Sequence, residues 1–264
     1  MTAIGAPVLA PPDTAASSPP PDRTRRTLLW FGAGSAGIVV VGVVVLMAMM
    51  LTGNAPVLRA RGPSDAAPPL AKLCPPPSTS AERPPPAPAP PPGPRTLDTA
   101  AGISYAAFGA PWQPWDEAWD AGDLHVLYRV GQHFVTEVYS GGQYHASILS
   151  GSVPATVNDA LTLDLKCTGH QVMADVRASY YPQPTTIDMM RDQVTTLGGL
   201  PAWVGKFRLH FHADGLTATS ELVGLAVLDV GRPTAAVLYV SIPNTVSRYD
   251  PLVDEILNSV RPTA

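Results

Sequence analysis

From Leu28 to Leu51 the chain runs 24 residues without a charge, LLWFGAGSAGIVVVGVVVLMAMML. At 1.5 Å per residue such a helix is roughly 36 Å long, enough to cross a hydrocarbon core of about 30 Å. A helix also gives every backbone amide an internal partner, which lipid demands. Arg23, Arg25 and Arg26 stand just before the segment, and no basic residue follows until Arg59. The positive-inside bias therefore leaves the N-terminus in the cytoplasm and exports the rest. The competing reading is a cleaved signal peptide, whose apolar core is about 7–15 residues followed by small residues. Here the run is longer, and Met47, Met49, Met50 and Leu51 occupy the place of a cleavage site. The pattern predicts an uncleaved signal-anchor spanning residues 27–52.

The hydrophobic pattern on either side differs. Residues 1–26 have six prolines and almost no apolar periodicity, which predicts a disordered cytoplasmic tail. Residues 63–94 hold 14 prolines in 32 positions, and 53–95 reads as a proline-rich linker. Polyproline II extends about 3.1 Å per residue, so this stalk reaches on the order of 100 Å when fully extended. Its P-x-x-P pattern also suits proline-binding modules, but those are mostly cytosolic, which favours a spacer.

Residues 96–264 alternate apolar and polar positions in the manner of an α+β domain. Ile103 to Phe108, Leu124 to Tyr139 (interrupted at Gly131) and Tyr144 to Leu149 read as strands. A helical stretch follows from about Ala155 to Tyr180, with Leu161, Leu165, Val172 and Val176 on one face; Gly169 is a possible break, and Pro182 and Pro184 end it. Ile187 to Leu197 has the spacing of a short helix. Ala202 to Phe211, Ala218 to Asp229 and Thr234 to Ile242 form a three-strand meander with short turns. An amphipathic helix closes the chain, with Asp250 as N-cap, Pro251 at the first helical position, then Leu252, Val253, Ile256, Leu257 and Val260. The order predicts an antiparallel sheet flanked by helices.

Composition narrows the function. Residues 1–95 carry eight basic and four acidic side chains, and residues 96–264 carry nine basic and 17 acidic. A domain with a net charge of −8 repels phosphate backbones, which excludes nucleic acid as the expected partner. The expected partners are the bilayer, through residues 28–51, and another envelope protein. No motif calls for a cofactor. Gly32, Gly34 and Gly37 spell G-x-G-x-x-G, but inside an apolar span they lack the strand and aqueous βαβ unit that a dinucleotide site requires. Gly32/Ala36 and Ala33/Gly37 are small-xxx-small pairs of the kind that permit close packing of membrane helices.

The run Leu197-Gly198-Gly199-Leu200-Pro201-Ala202-Trp203, the meander after it, the terminal DPLVDEILNSVRP and the early GISYAAFGAPWQPW together resemble the PsbP-like superfamily. The resemblance covers roughly residues 100–262. It implies a sheet sandwiched by helices, similar to LpqN-type exported domains, and a role in binding or assembly without a shared active site. Unlike lipoprotein members, this chain has no lipidated cysteine after its apolar segment.

Three groups of residues carry candidate chemistry. Trp112, Trp115 and Trp119 alternate with Asp116, Glu117, Asp120 and Asp123. Aromatic faces beside carboxylates hold sugars or cations, although tryptophans so placed also plug cores. His210 and His212 are two apart on a strand, with Asp214 near enough for a third metal ligand; a solvent-facing strand also carries His-x-His without a metal. Cys74 and Cys167 face an oxidising compartment, where they pair with each other, pair between molecules or stay reduced. No nucleophile elbow and no cysteine with a partner histidine is present. The expectation is an extracytoplasmic binding or assembly module, non-enzymatic; the alternative is an envelope enzyme or carbohydrate-binding domain that uses segment 112–123.

Overall fold

The computed structural model describes Leu70, Leu73, Cys74 and residues 88–154 and 164–263. The predicted tail, the apolar segment from Leu28 to Leu51 and most of the stalk lie outside the described residues. Among the described residues, no helix is long and apolar enough to cross a membrane.

A large antiparallel sheet dominates. In chain order come β1 (Arg95–Asp98), β2 (Ile103–Ala106), β3 (Gln113–Pro114), β4 (Trp119–Ala121), β5 (Val126–Tyr139) and β6 (Gly142–Val153). Helix α1 (Leu165–Ser179) follows, then β7 (Thr186–Leu197), β8 (Leu200–His210), β9 (Ser220–Leu228) and β10 (Ala235–Pro243). A 3-10 turn (Asn244–Tyr249), helix α2 (Pro251–Ser259) and β11 (Arg261–Pro262) end the fold. The main sheet has the order β3-β5-β6-β10-β9-β8-β7, with β4 also paired to β5; β1, β2 and β11 form a small separate sheet.

Strand alternation divides the core into two layers. On β9 and β10, Val223, Leu225, Val227, Val237 and Tyr239 face α1 with Trp203, Phe207 and Leu209 of β8, against Val172 and Val176. Their neighbours Leu222, Ala226, Leu228, Leu238, Val240 and Ile242 face the other way, onto Val253, Ile256 and Leu257 of α2 and Ile103 and Tyr105 of β2. Both central strands are buried on both faces, and each large side chain so buried is worth about 1.5–3 kcal/mol. The antiparallel sheet flanked by helices that the hydrophobic pattern predicts is therefore present.

Three local expectations are corrected, and a fourth, the Asp250 N-cap, holds in position but without a side-chain capping bond. The segment from Ile187 to Leu197 is an edge strand, not a helix. It pairs along its length with β8, and Leu197 faces Leu200 across a two-residue turn. Gly198 and Gly199 both have positive φ (+56° and +88°), which fits the tight hairpin turns that join antiparallel strands. Gly169 does not break α1. A Cβ there would stand 2.0 Å from the Trp203 ring, so the missing side chain lets the helix lie directly on that indole. Gly131 does not interrupt β5; the register shifts fall at Tyr128/Val130 and Val135/Glu137. Asp250 precedes α2, but its side chain makes no capping bond and instead accepts from Arg208 Nη2 at 2.8 Å. On α1, Asp164 does cap: its Oδ1 accepts from the Cys167 amide at 3.0 Å.

Candidate functional site

The bulge at Tyr128/Val130 has a consequence for the site. Val126 and Tyr128 point to the α1 layer, whereas Phe134 points to the α2 layer. One inserted residue inverts the alternation, so it is His133 that returns to the α1 side, where it meets Trp115 at 5.1 Å between ring centroids. Trp112 packs edge-on against Phe134 at 4.8 Å and is buried in the opposite layer. The three predicted tryptophans thus do not act together. Trp112 is a core residue, while Trp115 and Trp119 line a cavity.

That cavity, about 300 Å³, opens on the α1 face beyond the helix C-terminus. Its walls are Trp115, Trp119, Tyr144 and His145 of β6, and Tyr180, which directly follows α1. Its floor is Glu221 at the start of β9 with Tyr239 and Ser241 of β10 and Tyr181. Glu117, Ala118 and Gln143 are exposed and form the rim. Trp119 stacks on Tyr128 (5.4 Å) and leans on Tyr180 (4.7 Å), and Tyr180 meets Tyr239 edge-on at 5.6 Å. Asp175, buried on α1, locks this wall in place by accepting from the amides of Asp123 (2.8 Å) and Leu124 (3.2 Å), just after β4.

Glu221 occupies a core-phase position, in line with Val223, Leu225 and Val227, and is 2% exposed. A buried carboxylate needs hydrogen-bond partners. Tyr181 Oη donates to Glu221 Oε2 at 2.6 Å, and Ser241 Oγ also donates to Oε2. Tyr181 has one proton to give, so the short contact between Tyr181 and Tyr239 is best made with the Tyr239 hydroxyl donating. Burial pushes the Glu221 carboxyl above the usual carboxylate range, opposed by the hydrogen bonds from Ser241 and Tyr181. Burial likewise raises the Tyr181 and Tyr239 hydroxyls, and the nearby Glu221 adds to both. His145 is lowered, first by burial and then by His133 beside it, with Glu117 opposing. Two donors on the cavity lining, Trp115 Nε1 and Tyr144 Oη, are buried with no hydrogen-bond partner among the described residues.

The other sequence candidates are placed as follows. Asp116 is exposed and off the cavity lining, and Asp120 pairs with His125 at the surface (3.1 Å). The carboxylate that serves the cavity floor is Glu221, which the spacing of the Trp/acid segment does not reveal. A lone acid in the inward phase of the apolar run SELVGLAVL is the signal for it. His210 and His212 do not converge, because β8 stops at His210 and the alternation ends there. His210 Nε2 pairs with Asp188 at 2.9 Å, and the exposed His212 approaches Asp214 at 3.4 Å. Among the described residues, no three His, Cys, Asp or Glu side chains gather to hold a metal ion. Cys74 and Cys167 form a disulfide, and Leu70 beside it is fully buried in the α1 layer.

No protein-family model matches the sequence, and no curated protein matches it. Among solved structures it is similar to the cyanobacterial PsbP (CyanoP) of Synechocystis sp. PCC 6803, with a TM-score of 0.42 and 14% identity, over 64% of this chain and 91% of that one.

Proposed function

We propose that the chain is a membrane-anchored, extracytoplasmic binding module whose α1-face cavity takes a small organic ligand. The observation that carries this is the convergence of Trp115, Trp119, Tyr180 and Tyr239 on a single buried carboxylate, in a cavity of about 300 Å³ with a rim open to solvent. Mostly apolar, aromatic walls with a few convergent polar groups are the usual make-up of a ligand pocket. Residues 28–51 hold the chain in the bilayer, the N-terminus is cytoplasmic, and the stalk lifts the domain away. The Cys74–Cys167 disulfide supports an oxidising compartment for the domain.

A second reading, a carbohydrate-binding domain or envelope enzyme built on segment 112–123, is favoured by one observation. Trp115 Nε1 and Tyr144 Oη are buried donors without partners among the described residues, and sugar hydroxyls would satisfy them. Trp115 and Trp119 report on the cavity directly, so intrinsic fluorescence of the full-length chain, titrated with neutral mono- and disaccharides and with small amines, tests both readings. A saturable change that is lost in Trp119→Leu supports a ligand site, and its preference for sugars or amines separates the two. A signal unmoved by the whole panel sinks both.

A further inference from the structure

We infer that the cavity takes an organic cation, with an ammonium group seated against the Trp119, Tyr180 and Tyr239 rings and Glu221 as its counter-ion, an assignment that rests on the binding-module reading above. The charges around the cavity are of one sign. Glu221 lies at the floor and Glu117 at the rim, and among the described residues neither lysine nor arginine lines it. An anion would meet acidic side chains at floor and rim and no basic partner. A cation meets carboxylates and the electron-rich faces of aromatic rings, which attract ammonium groups within about 6 Å of a ring centroid. The rings are close enough to share one occupant: Trp119 to Tyr180 is 4.7 Å and Tyr180 to Tyr239 is 5.6 Å. Residues 96–264 carry nine basic against 17 acidic side chains, so the field of the whole domain draws cations toward it.

The floor also sets a proton linkage. The groups that face Glu221 are Tyr181 after α1, Tyr239 and Ser241 of β10 and Tyr144 of β6, all neutral hydroxyls. His145 and Glu117 lie further out on the lining. Burial favours the neutral carboxyl in the empty cavity. A cation arriving beside it favours the carboxylate, so binding of the cation opposes protonation of Glu221. Affinity for the cation therefore rises with pH, and affinity for a neutral ligand of the same shape does not.

The test is isothermal titration of the full-length chain in phosphatidylglycerol nanodiscs, with empty nanodiscs as blank. The probes are choline and its neutral carbon isostere, in which a quaternary carbon replaces the nitrogen. Choline is expected to bind about tenfold or more tighter than the isostere, which is about 1.4 kcal/mol. Repeating both titrations from acid to neutral pH is expected to show the choline affinity rising with pH and the isostere's affinity unchanged. Glu221→Gln, which resembles the neutral carboxyl, is expected to remove the preference and the pH dependence in a chain that still unfolds cooperatively. Equal affinities, or a tighter isostere, overturn the cation assignment and leave the cavity as a ligand site. Silence with choline while a neutral sugar binds overturns it too, in favour of the carbohydrate reading. Silence with every probe removes the binding-module reading itself. The choline-to-isostere comparison uses only the wild-type chain, so it stands even where the variant fails to fold.

Discussion

Glu221 lies on a strand whose other inward residues are Val223, Leu225 and Val227, and it carries its polar group into a layer of aliphatic and aromatic side chains. An acid whose folded pKa lies above its unfolded one holds a proton in the folded state that the unfolded chain has already released. Stability then falls as pH rises from the ordinary carboxylate value, 4.5 here, toward the raised folded value. Glu221→Gln cannot titrate. We expect its melting temperature to gain on wild type as pH rises above the ordinary carboxylate value; a difference that does not change with pH would show that the carboxyl is unperturbed. At Gly169 the issue is space rather than charge. A methyl there meets the Trp203 ring at 2.0 Å, so Gly169→Ala is expected to cost about 1–3 kcal/mol by denaturant unfolding despite alanine's better helix propensity.

At the scale of elements, β9 and β10 lie in the middle of the sheet with both faces covered, whereas β7 is an edge strand with Met189, Met190 and Val194 exposed. Local opening should follow that order. We expect amide exchange to be slowest in β9 and β10 and fastest, among the long strands, on the outer edge of β7; a protected, helix-like pattern over 187–197 would contradict the strand. The sequence made the central meander and α2 legible because their apolar periods are long and one-sided. It misread Ile187 to Leu197 because Ile187, Met190, Val194 and Leu197 fall at helical spacing, while the edge position that decides the matter depends on the Gly198-Gly199 turn and pairing with β8. The cavity was half legible. Trp115 and Trp119 stood out by type, but Trp112 separates from Trp115 because neighbouring β5 residues, Phe134 and His133, face opposite layers. Glu221 and Ser241 are 20 residues apart in sequence and meet because β9 pairs antiparallel with β10, which no local pattern displays.

For the whole molecule, the Cys74–Cys167 bond joins the proline-rich linker to α1 across 93 residues. In the chain-entropy picture, closing a loop of that length stabilises by about 4–5 kcal/mol. Replacing both cysteines by alanine is expected to lower unfolding stability by up to about that amount, and an unchanged denaturation midpoint would show that the linker is not part of the folded unit. The central claim, however, is that the cavity on the α1 face holds a small organic molecule. The most direct measurement is native mass spectrometry of the full-length chain purified from its own cells, beside a Trp119→Leu/Glu221→Gln double variant expressed in the same way. We expect a discrete small-molecule mass retained by the wild type and absent from the folded double variant. A ligand mass carried equally by both proteins, or a wild-type chain indistinguishable from the variant, would contradict it.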